Sequence, residues 1–143
     1  AGQPLADYSF GENAMSYLDK MTELCGEKGI QLVLIKAPSL YPYWYDEWEE
    51  QVEAYAEEHG LLYVNFLELT EEAGIDFSQD TYDAGLHMNL SGAEKLSRYF
   101  GQILTEETAV TDRRAEPALC EAWEKKLAEY ELDKEEQYRE LEK

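Results

Sequence analysis

The chain has 143 residues, and its 12 basic against 32 acidic residues give a formal net charge of −20. Nucleic acids and anionic membrane surfaces attract positive charge, so this balance argues against both as partners. No apolar run approaches the ~20 residues of a membrane span, and a hydrophobic content of 44% is too high for a disordered acidic tail.

The first predicted elements are a helix and a strand. Ser9 and Glu12 form an S-x-x-E capping box. A stripe at helical spacing follows: Ala14, Tyr17, Leu18, Met21, Leu24 and Cys25. Gly26 and Gly29 end this helix. Ile30 to Ile35 is nearly continuous apolar sequence with β-branched residues, which predicts a parallel strand buried on both faces.

A second helix and strand complete a βαβ unit. Asp46 and Glu49 can cap the helix, whose inward stripe contains Trp48, Val52, Tyr55 and Ala56. Gly60 ends the helix, and Leu61 to Phe66 is a second strand of the buried type. Strand, helix and strand in this order predict parallel pairing with a right-handed crossover.

The stretch after the second strand is less regular. Leu69 to Ala73 predicts a short helical turn, and a loop with Asp76, Asp80, Asp83 and His87 follows. Ligands of open parallel sheets bind beyond the carboxyl ends of the strands. We therefore expect the loop after the first strand and the His87 loop to lie on the same side of the molecule.

The remaining sequence predicts two helices. Ser91 and Glu94 form a capping box for a helix over residues 92–104. Pro117 suits the first position of the last helix, whose apolar stripe contains Leu119, Trp123, Leu127 and Tyr130. The predicted organisation is an α/β domain over residues 1–104, a linker over 105–116 and a C-terminal helix over 117–143. The last helix either projects into solvent or packs on another chain.

The most informative stretch is residues 82–94, with the sequence YDAGLHMNLSGAE. It places an acid and an imidazole on a loop directly before a helix. An Asp near a His can hold one imidazole tautomer and stabilise the imidazolium, so Asp83 can orient His87 as a base. The alternatives are a surface His in an ordinary connection and, for Asp83, a turn-forming role beside Gly85.

This stretch resembles the last catalytic motif of the SGNH/GDSL hydrolases: Asp, a few residues, His, a hydrophobic residue, Asn, two residues, Gly-Ala. It is most similar to the envelope-associated branch, whose members de-esterify or acylate cell-surface polymers. The resemblance implies that His87 is the general base of a Ser-His-Asp triad and that Asp83 orients it. In the family these residues lie three apart, whereas here they lie four apart, with Leu86 as the extra residue.

The resemblance covers most of the chain, including Lys36-Ala37-Pro38 and Asp112-Arg113-Arg114. It implies a three-layer α/β/α, flavodoxin-like fold with about five parallel strands, an extracytoplasmic location, an acylated carbohydrate substrate and no metal or organic cofactor. The family's Gly-Asp-Ser nucleophile and its oxyanion motifs do not occur here. We therefore expect this chain to be the C-terminal part of a longer protein, with the N-terminal half of the same fold as its partner, and to be inactive alone.

Other candidate residues have weaker patterns. Ser39 follows a strand at the expected edge, but Pro38-Ser39 is typical of a turn rather than of a nucleophile elbow. Asn89 is best explained by capping, Asp80 is a reserve acid, and His59 at a helix end complements the helix dipole. A zinc site would need four scattered ligands without paired spacing: Cys25, His59, His87 and Cys120.

Two classes of function remain. The first is a serine O-acyl esterase or acyltransferase that acts on cell-surface carbohydrate. The second is a non-catalytic, acidic interaction module derived from the SGNH fold, whose last helix docks a partner. In either case two buried-type strands and a half-apolar last helix predict uncovered apolar surface, so we expect a homodimer.

Overall fold

The computed structural model describes residues 2–141, except for the side chains of residues 137, 140 and 141. The elements are α1 (Glu12–Lys28), β1 (Val33–Lys36), α2 (Asp46–His59), β2 (Leu62–Asn65), α3 (Leu90–Glu107) and α4 (Pro117–Leu141). The chain divides into two compact units, Ala1–Thr108 and Ala109–Lys143. It is mixed α/β and rich in helix, with a sheet of two strands in the described residues.

The sheet confirms the predicted parallel pairing. Val33 of β1 lies opposite Leu62 of β2, and Lys36 lies opposite Asn65. Both strands nevertheless begin later than the apolar runs that predicted them, and β2 also ends one residue earlier. The predicted bounds were therefore too wide at both ends of β2, whereas those of β1 lay too early, because the strand runs one residue past Ile35 to Lys36.

The first residue of each predicted strand, Ile30 and Leu61, instead belongs to the end of the preceding helix. The N–H of Ile30 donates to the Cys25 carbonyl and that of Leu61 to the Ala56 carbonyl, both at 2.8 Å. These bonds close the helix end in the manner of a Schellman motif, which needs a left-handed residue just before the donor. Gly29 and Gly60 supply it at φ 64° and 62°, so the stops predicted at these two glycines are confirmed. The stop predicted at Gly26 is wrong, because α1 continues through it to Lys28.

The apolar core of the first unit is small and lies around β2. Its buried members are Tyr55, Ala56, Val64, Phe66, Ala73 and Ile75. Phe66 packs edge-on against Phe100 of α3, with ring centroids 5.3 Å apart. By contrast, Ile35 of β1 is 52% exposed. The prediction that β1 is buried on both faces is wrong, and the sheet leaves apolar surface uncovered there.

The predicted helix caps are also wrong for three helices, namely the boxes Ser9-Glu12, Asp46-Glu49 and Ser91-Glu94. α1 and α2 follow Gly11 and Tyr45, and neither residue makes a capping side-chain bond. α3 is capped by Asn89, whose side-chain oxygen accepts from the N–H of Gly92 at 3.1 Å. The capping role predicted for Asn89 is thereby confirmed.

The second unit consists of a short connection and α4. The helix begins at Pro117 as predicted, and Arg113 joins the preceding turn through two 2.6 Å bonds to Glu116. The apolar stripe of α4 is uncovered, since Trp123 is 61% and Leu127 58% exposed. None of the helices in residues 2–141 combines the length and the apolar character needed to cross a membrane.

Candidate active site

The loop that carries His87 begins at a buried carboxylate. Asp80 is 1% exposed. Its Oδ2 accepts from the Asp76 N–H at 2.8 Å and from Lys95 Nζ at 2.7 Å, and its Oδ1 accepts from the Ser91 hydroxyl at 2.8 Å. Burial raises the pKa of Asp80, but these bonds outweigh it and hold the pKa below 3.8. Asp80 therefore anchors the loop to α3, and its burial argues against a catalytic role as reserve acid.

The other end of the loop is held at the same place by Asn89. Its N–H donates to the Asp80 carbonyl at 2.9 Å, and its side-chain amide donates to the Gln79 carbonyl at 2.6 Å. Gly92 permits this close packing, because a Cβ there would lie 2.3 Å from the Asp80 carbonyl oxygen. The two ends of the loop over residues 80–89 are thus hydrogen-bonded to each other, and we call these paired ends, Asp80 and Asn89, the stem of the loop.

Beyond the stem, residues 81–88 form a narrow loop that resembles a β-hairpin. Thr81 and Met88 form an antiparallel bridge. The Thr81 hydroxyl donates to the Phe77 carbonyl at 2.6 Å and accepts from the Gly85 N–H at 2.9 Å. The Gly85 carbonyl accepts from the N–H of Leu40, in the loop after β1, at 2.8 Å. This contact confirms the prediction that the two loops lie on the same side of the molecule.

Asp83 and His87 meet at the tip of the loop. His87 Nδ1 lies 2.5 Å from Asp83 Oδ2. Asp83 Oδ1 accepts the backbone N–H groups of Leu86 at 3.1 Å and of His87 at 2.6 Å. Ala84 and Gly85, both at positive φ, make the turn that brings these groups round. The carboxylate thus combines the turn-forming and the orienting roles that the sequence left as alternatives, and the four-residue spacing still allows the pair to form.

The hydrogen bond to Asp83 fixes the tautomer of the neutral His87 ring. Burial raises the pKa of Asp83, but the bonds from His87 and Leu86 outweigh it and lower the pKa below its usual range. An ionised carboxylate can only accept, so His87 Nδ1 carries a proton and Nε2 of the neutral ring has the free lone pair. The His87 side chain is 60% exposed, so a reacting group can reach it. Chemically the pair is an oriented, accessible base.

Tyr82 is a neighbour of the site to which the sequence assigned no role. Its ring lies parallel to that of His87, with planes 9° apart and centroids 5.9 Å apart, and it is 70% exposed. The two residues pair because the Thr81–Met88 bridge aligns the two sides of the loop. Helix and strand periodicities do not reveal such a contact, since the loop follows neither.

A polar cluster fixes the other loop, which follows β1. The ammonium of Lys36 donates to the Ser39 carbonyl at 3.2 Å and lies 5.3 Å from the centroid of the Trp44 ring. Glu49 Oε2 accepts from the Trp44 indole at 2.5 Å and from the Tyr63 hydroxyl at 2.8 Å. Burial lowers the pKa of Lys36 and raises that of Tyr63. The cluster holds the loop that Gly85 contacts.

Two further sequence candidates have structural roles. The Ser39 hydroxyl donates to the Tyr41 carbonyl at 2.6 Å, and its N–H donates to the Ala37 carbonyl at 2.8 Å. This is the turn that Pro38-Ser39 predicted. His59 Nδ1 donates to the Tyr55 carbonyl at 2.9 Å, and the two rings stack at 4.1 Å. His59 therefore packs within its helix.

Neither a metal-binding cluster among the described residues nor a similar protein of known function helps to interpret this site. Residues 2–141 contain no group of three or more His, Cys, Asp or Glu side chains arranged to hold a metal ion. No protein-family model, curated protein or solved structure matches the chain. A functional inference therefore depends on the geometry of the Asp83–His87 pair and on the motif that contains it.

Proposed function

We propose that this chain supplies the histidine and aspartate of the triad of an SGNH-type serine O-acyl esterase or acyltransferase that acts on acylated cell-surface carbohydrate. The observation that carries the proposal is the 2.5 Å contact between His87 Nδ1 and Asp83 Oδ2, with the imidazole exposed. This contact leaves the lone pair of the neutral ring on Nε2, where a general base of a serine nucleophile needs it.

In the proposed reaction, a serine hydroxyl from the N-terminal half of the fold attacks the acyl carbonyl. His87 Nε2 accepts the hydroxyl proton and then delivers it to the leaving sugar alkoxide, while Asp83 stabilises the imidazolium. A second cycle transfers the acyl group to water or to an acceptor hydroxyl, with His87 again accepting and returning the proton. No metal ion or organic cofactor takes part.

The proposal includes the rest of the fold. The β1–α2–β2 unit would be part of a larger three-layer sheet of flavodoxin-like type, in the bacterial envelope as the family resemblance implies. The exposed Ile35 side chain on β1 supports this part, because further strands or helices of the N-terminal half would cover it. The contact between Leu40 and Gly85 supports it too, because it places the His87 loop beside the end of β1.

The decisive test uses the protein in which this chain is joined to the polypeptide encoded before Ala1. We expect that polypeptide to contain a Gly-Asp-Ser after a predicted strand, and the joined protein to hydrolyse an activated acetyl ester. His87→Ala should lower kcat/KM by about 10³-fold or more, because the covalent route loses its base. The matched control is His59→Ala, which should leave the rate unchanged. Full activity of His87→Ala would contradict the proposal.

The chain alone gives a second test. We expect only background ester hydrolysis, because the nucleophile and the oxyanion donors each account for orders of magnitude in rate. Turnover by the isolated chain that disappears in both His87→Ala and Ser39→Ala would instead make Ser39 the nucleophile. Turnover that survives both substitutions would place the chemistry elsewhere.

A specific observation favours the second candidate, a non-catalytic interaction module. Trp123 and Leu127 expose apolar surface on α4, and exposed apolar stripes commonly mark protein contacts. The two candidates differ in the role of His87. An interaction module should keep its binding after His87→Ala, and its upstream polypeptide should contain no nucleophile turn.

A further inference from the structure

α4 carries a heptad pattern on its exposed side. Spacings of three and four residues connect successive positions of type a and d: Cys120, Trp123, Leu127, Tyr130 and Lys134. Such spacing forms the seam of a coiled coil. More than half of the surface of Trp123 and Leu127 is exposed, so no other part of the described chain buries these two residues in the middle of the seam. α4 has 25 residues, and the apolar positions of the seam cover residues 120–130 of it, so the paired segment is short.

We propose that α4 pairs with α4 of a second copy of this chain as a parallel, in-register coiled coil. Charges beside the seam determine both the partner and the direction. Lys126 occupies a g position and Glu131 the following e position, which face each other across a parallel dimer. An antiparallel pair would match Lys126 with Asp133 but would also bring Glu124 of one copy against Glu131 of the other. The parallel arrangement gains two attractions between Lys126 and Glu131, and its one like-charge contact is between the two copies of Lys134. The antiparallel arrangement has two repulsions between Glu124 and Glu131.

The contacts within α4 suit this arrangement. Lys126 Nζ lies 4.9 Å from the centroid of the Trp123 ring, so the lysine stem already covers one flank of the seam, as g residues of coiled coils do. Lys134 at the next a position is a polar residue of the kind that fixes register and a two-stranded state at some cost in stability. A second copy therefore fits the seam in one register.

Net charge opposes this association and gives it a signature. Each chain carries −20, and α4 with its eight acidic and four basic residues is itself net negative, so a second copy is repelled. Added salt screens this repulsion and leaves the apolar seam intact. We therefore expect the dimer of the full chain to become tighter as salt is raised to roughly 0.5 M, where the Debye length falls to about 4 Å.

Sedimentation equilibrium of the full 143-residue chain tests the proposal with a matched pair of variants. Leu127 lies in the seam, whereas Leu132 lies at an f position on the opposite side and is similarly exposed, at 58% and 64% respectively. Leu127→Ala should raise the dimer Kd about tenfold or more, since both copies lose a buried side chain. Leu132→Ala should leave it within about twofold, because its surface stays exposed in the dimer. Circular dichroism confirms that both variants keep their helix content.

Charge exchange tests the direction. Lys126→Glu should weaken the dimer, and adding Glu131→Lys should restore it. Rescue by Asp133→Lys instead would show an antiparallel pair and overturn the proposed arrangement. A monomer at every salt concentration, or a dimer indifferent to Leu127→Ala, would overturn the use of α4 altogether. A dimer indifferent to Leu127→Ala would instead form through the uncovered apolar surface at β1, around Ile35.

Discussion

Replacement of the buried Asp80 carboxylate should give two very different results, depending on the new side chain. Asp80→Ala removes the acceptor for three donors, the Asp76 N–H, the Ser91 hydroxyl and the Lys95 ammonium. Asp80→Asn keeps the shape. Its amide oxygen can take the Oδ2 position and accept from Asp76 and Lys95, while its NH₂ faces the Ser91 hydroxyl, which can rotate to accept.

The magnitudes follow from these partners. Hydrogen bonds to a charged group contribute about 1.5–3 kcal/mol each to stability, so three bonds give about 4.5 kcal/mol at the lower end. Desolvation of the carboxylate offsets part of this, and Lys95 is 35% exposed and can regain water. We expect Asp80→Ala to cost about 3 kcal/mol of unfolding free energy and Asp80→Asn about 1 kcal/mol.

Urea unfolding measures both values. Tryptophan fluorescence in a Trp123→Phe background reports on the first unit alone, because Trp44 and Trp48 are then the only tryptophans left. The gap of about 2 kcal/mol corresponds to roughly a thirtyfold difference in the unfolding equilibrium constant. Equal costs for Ala and Asn, or a cost for Ala below about 0.5 kcal/mol, would refute the view that Asp80 anchors the loop through its acceptors.

Three further predictions concern the same region. The pKa of Asp80 is lowered in the folded chain, so its contribution to stability is present above its ordinary pKa of 3.8 and is lost as pH falls through the folded value. The stability gap between the native chain and Asp80→Asn should therefore shrink on acidification, and a gap that widens in urea titrations at low pH would contradict this sign. Gly92→Ala should destabilise by about 2 kcal/mol, because the added methyl meets the Asp80 carbonyl; Gly101→Ala in the same helix meets nothing and should stabilise by about 0.5–1 kcal/mol. Thermal melts compare the two, and equal shifts would contradict the close approach at Gly92. Asp83→Asn should move the ring proton of His87 to Nε2, because the Asn oxygen remains on the two backbone N–H groups and its NH₂ faces Nδ1. Nitrogen-15 NMR of the imidazole would show the tautomer change, and an Nδ1–H ring in the variant would rule it out.

Local patterns were sufficient for the elements and insufficient for their ends. Helical periodicity predicted all four helices, and Gly29 and Gly60 correctly predicted two helix stops, because a left-handed residue is a local requirement. The S-x-x-E pattern at Ser91 was misleading for a reason outside the pattern. Its hydroxyl bonds Asp80, eleven residues away, and leaves the cap to Asn89. A contact across the fold thus decided a feature that appears local.

Local sequence patterns also failed to predict which strand faces are buried and whether the two site residues meet. The apolar run from Ile30 to Ile35 correctly indicated a strand, but it could not indicate which faces other elements cover, and Ile35 is exposed. The motif brought Asp83 and His87 into consideration, yet their contact depends on Ala84 and Gly85 at positive φ. On sequence alone, a spacing of four residues could not show whether Asp83 and His87 are in contact.

Because the stem of the His87 loop is closed by hydrogen bonds, the number of residues in the loop can change without a change in the rest of the fold. Because Asn89 returns to Asp80 at 2.9 Å, α3 begins at the same place whatever number of residues lies between them. Residues inserted into such a loop lengthen only its tip. The entropic cost of closing the loop rises slowly with the number of residues. One added residue can therefore be accepted without any movement of the scaffold, provided that the tip can still fold back on itself. The carboxylate of Asp83, which accepts from the backbone N–H groups of Leu86 and His87 beside the ring, meets that condition across a spacing of four residues.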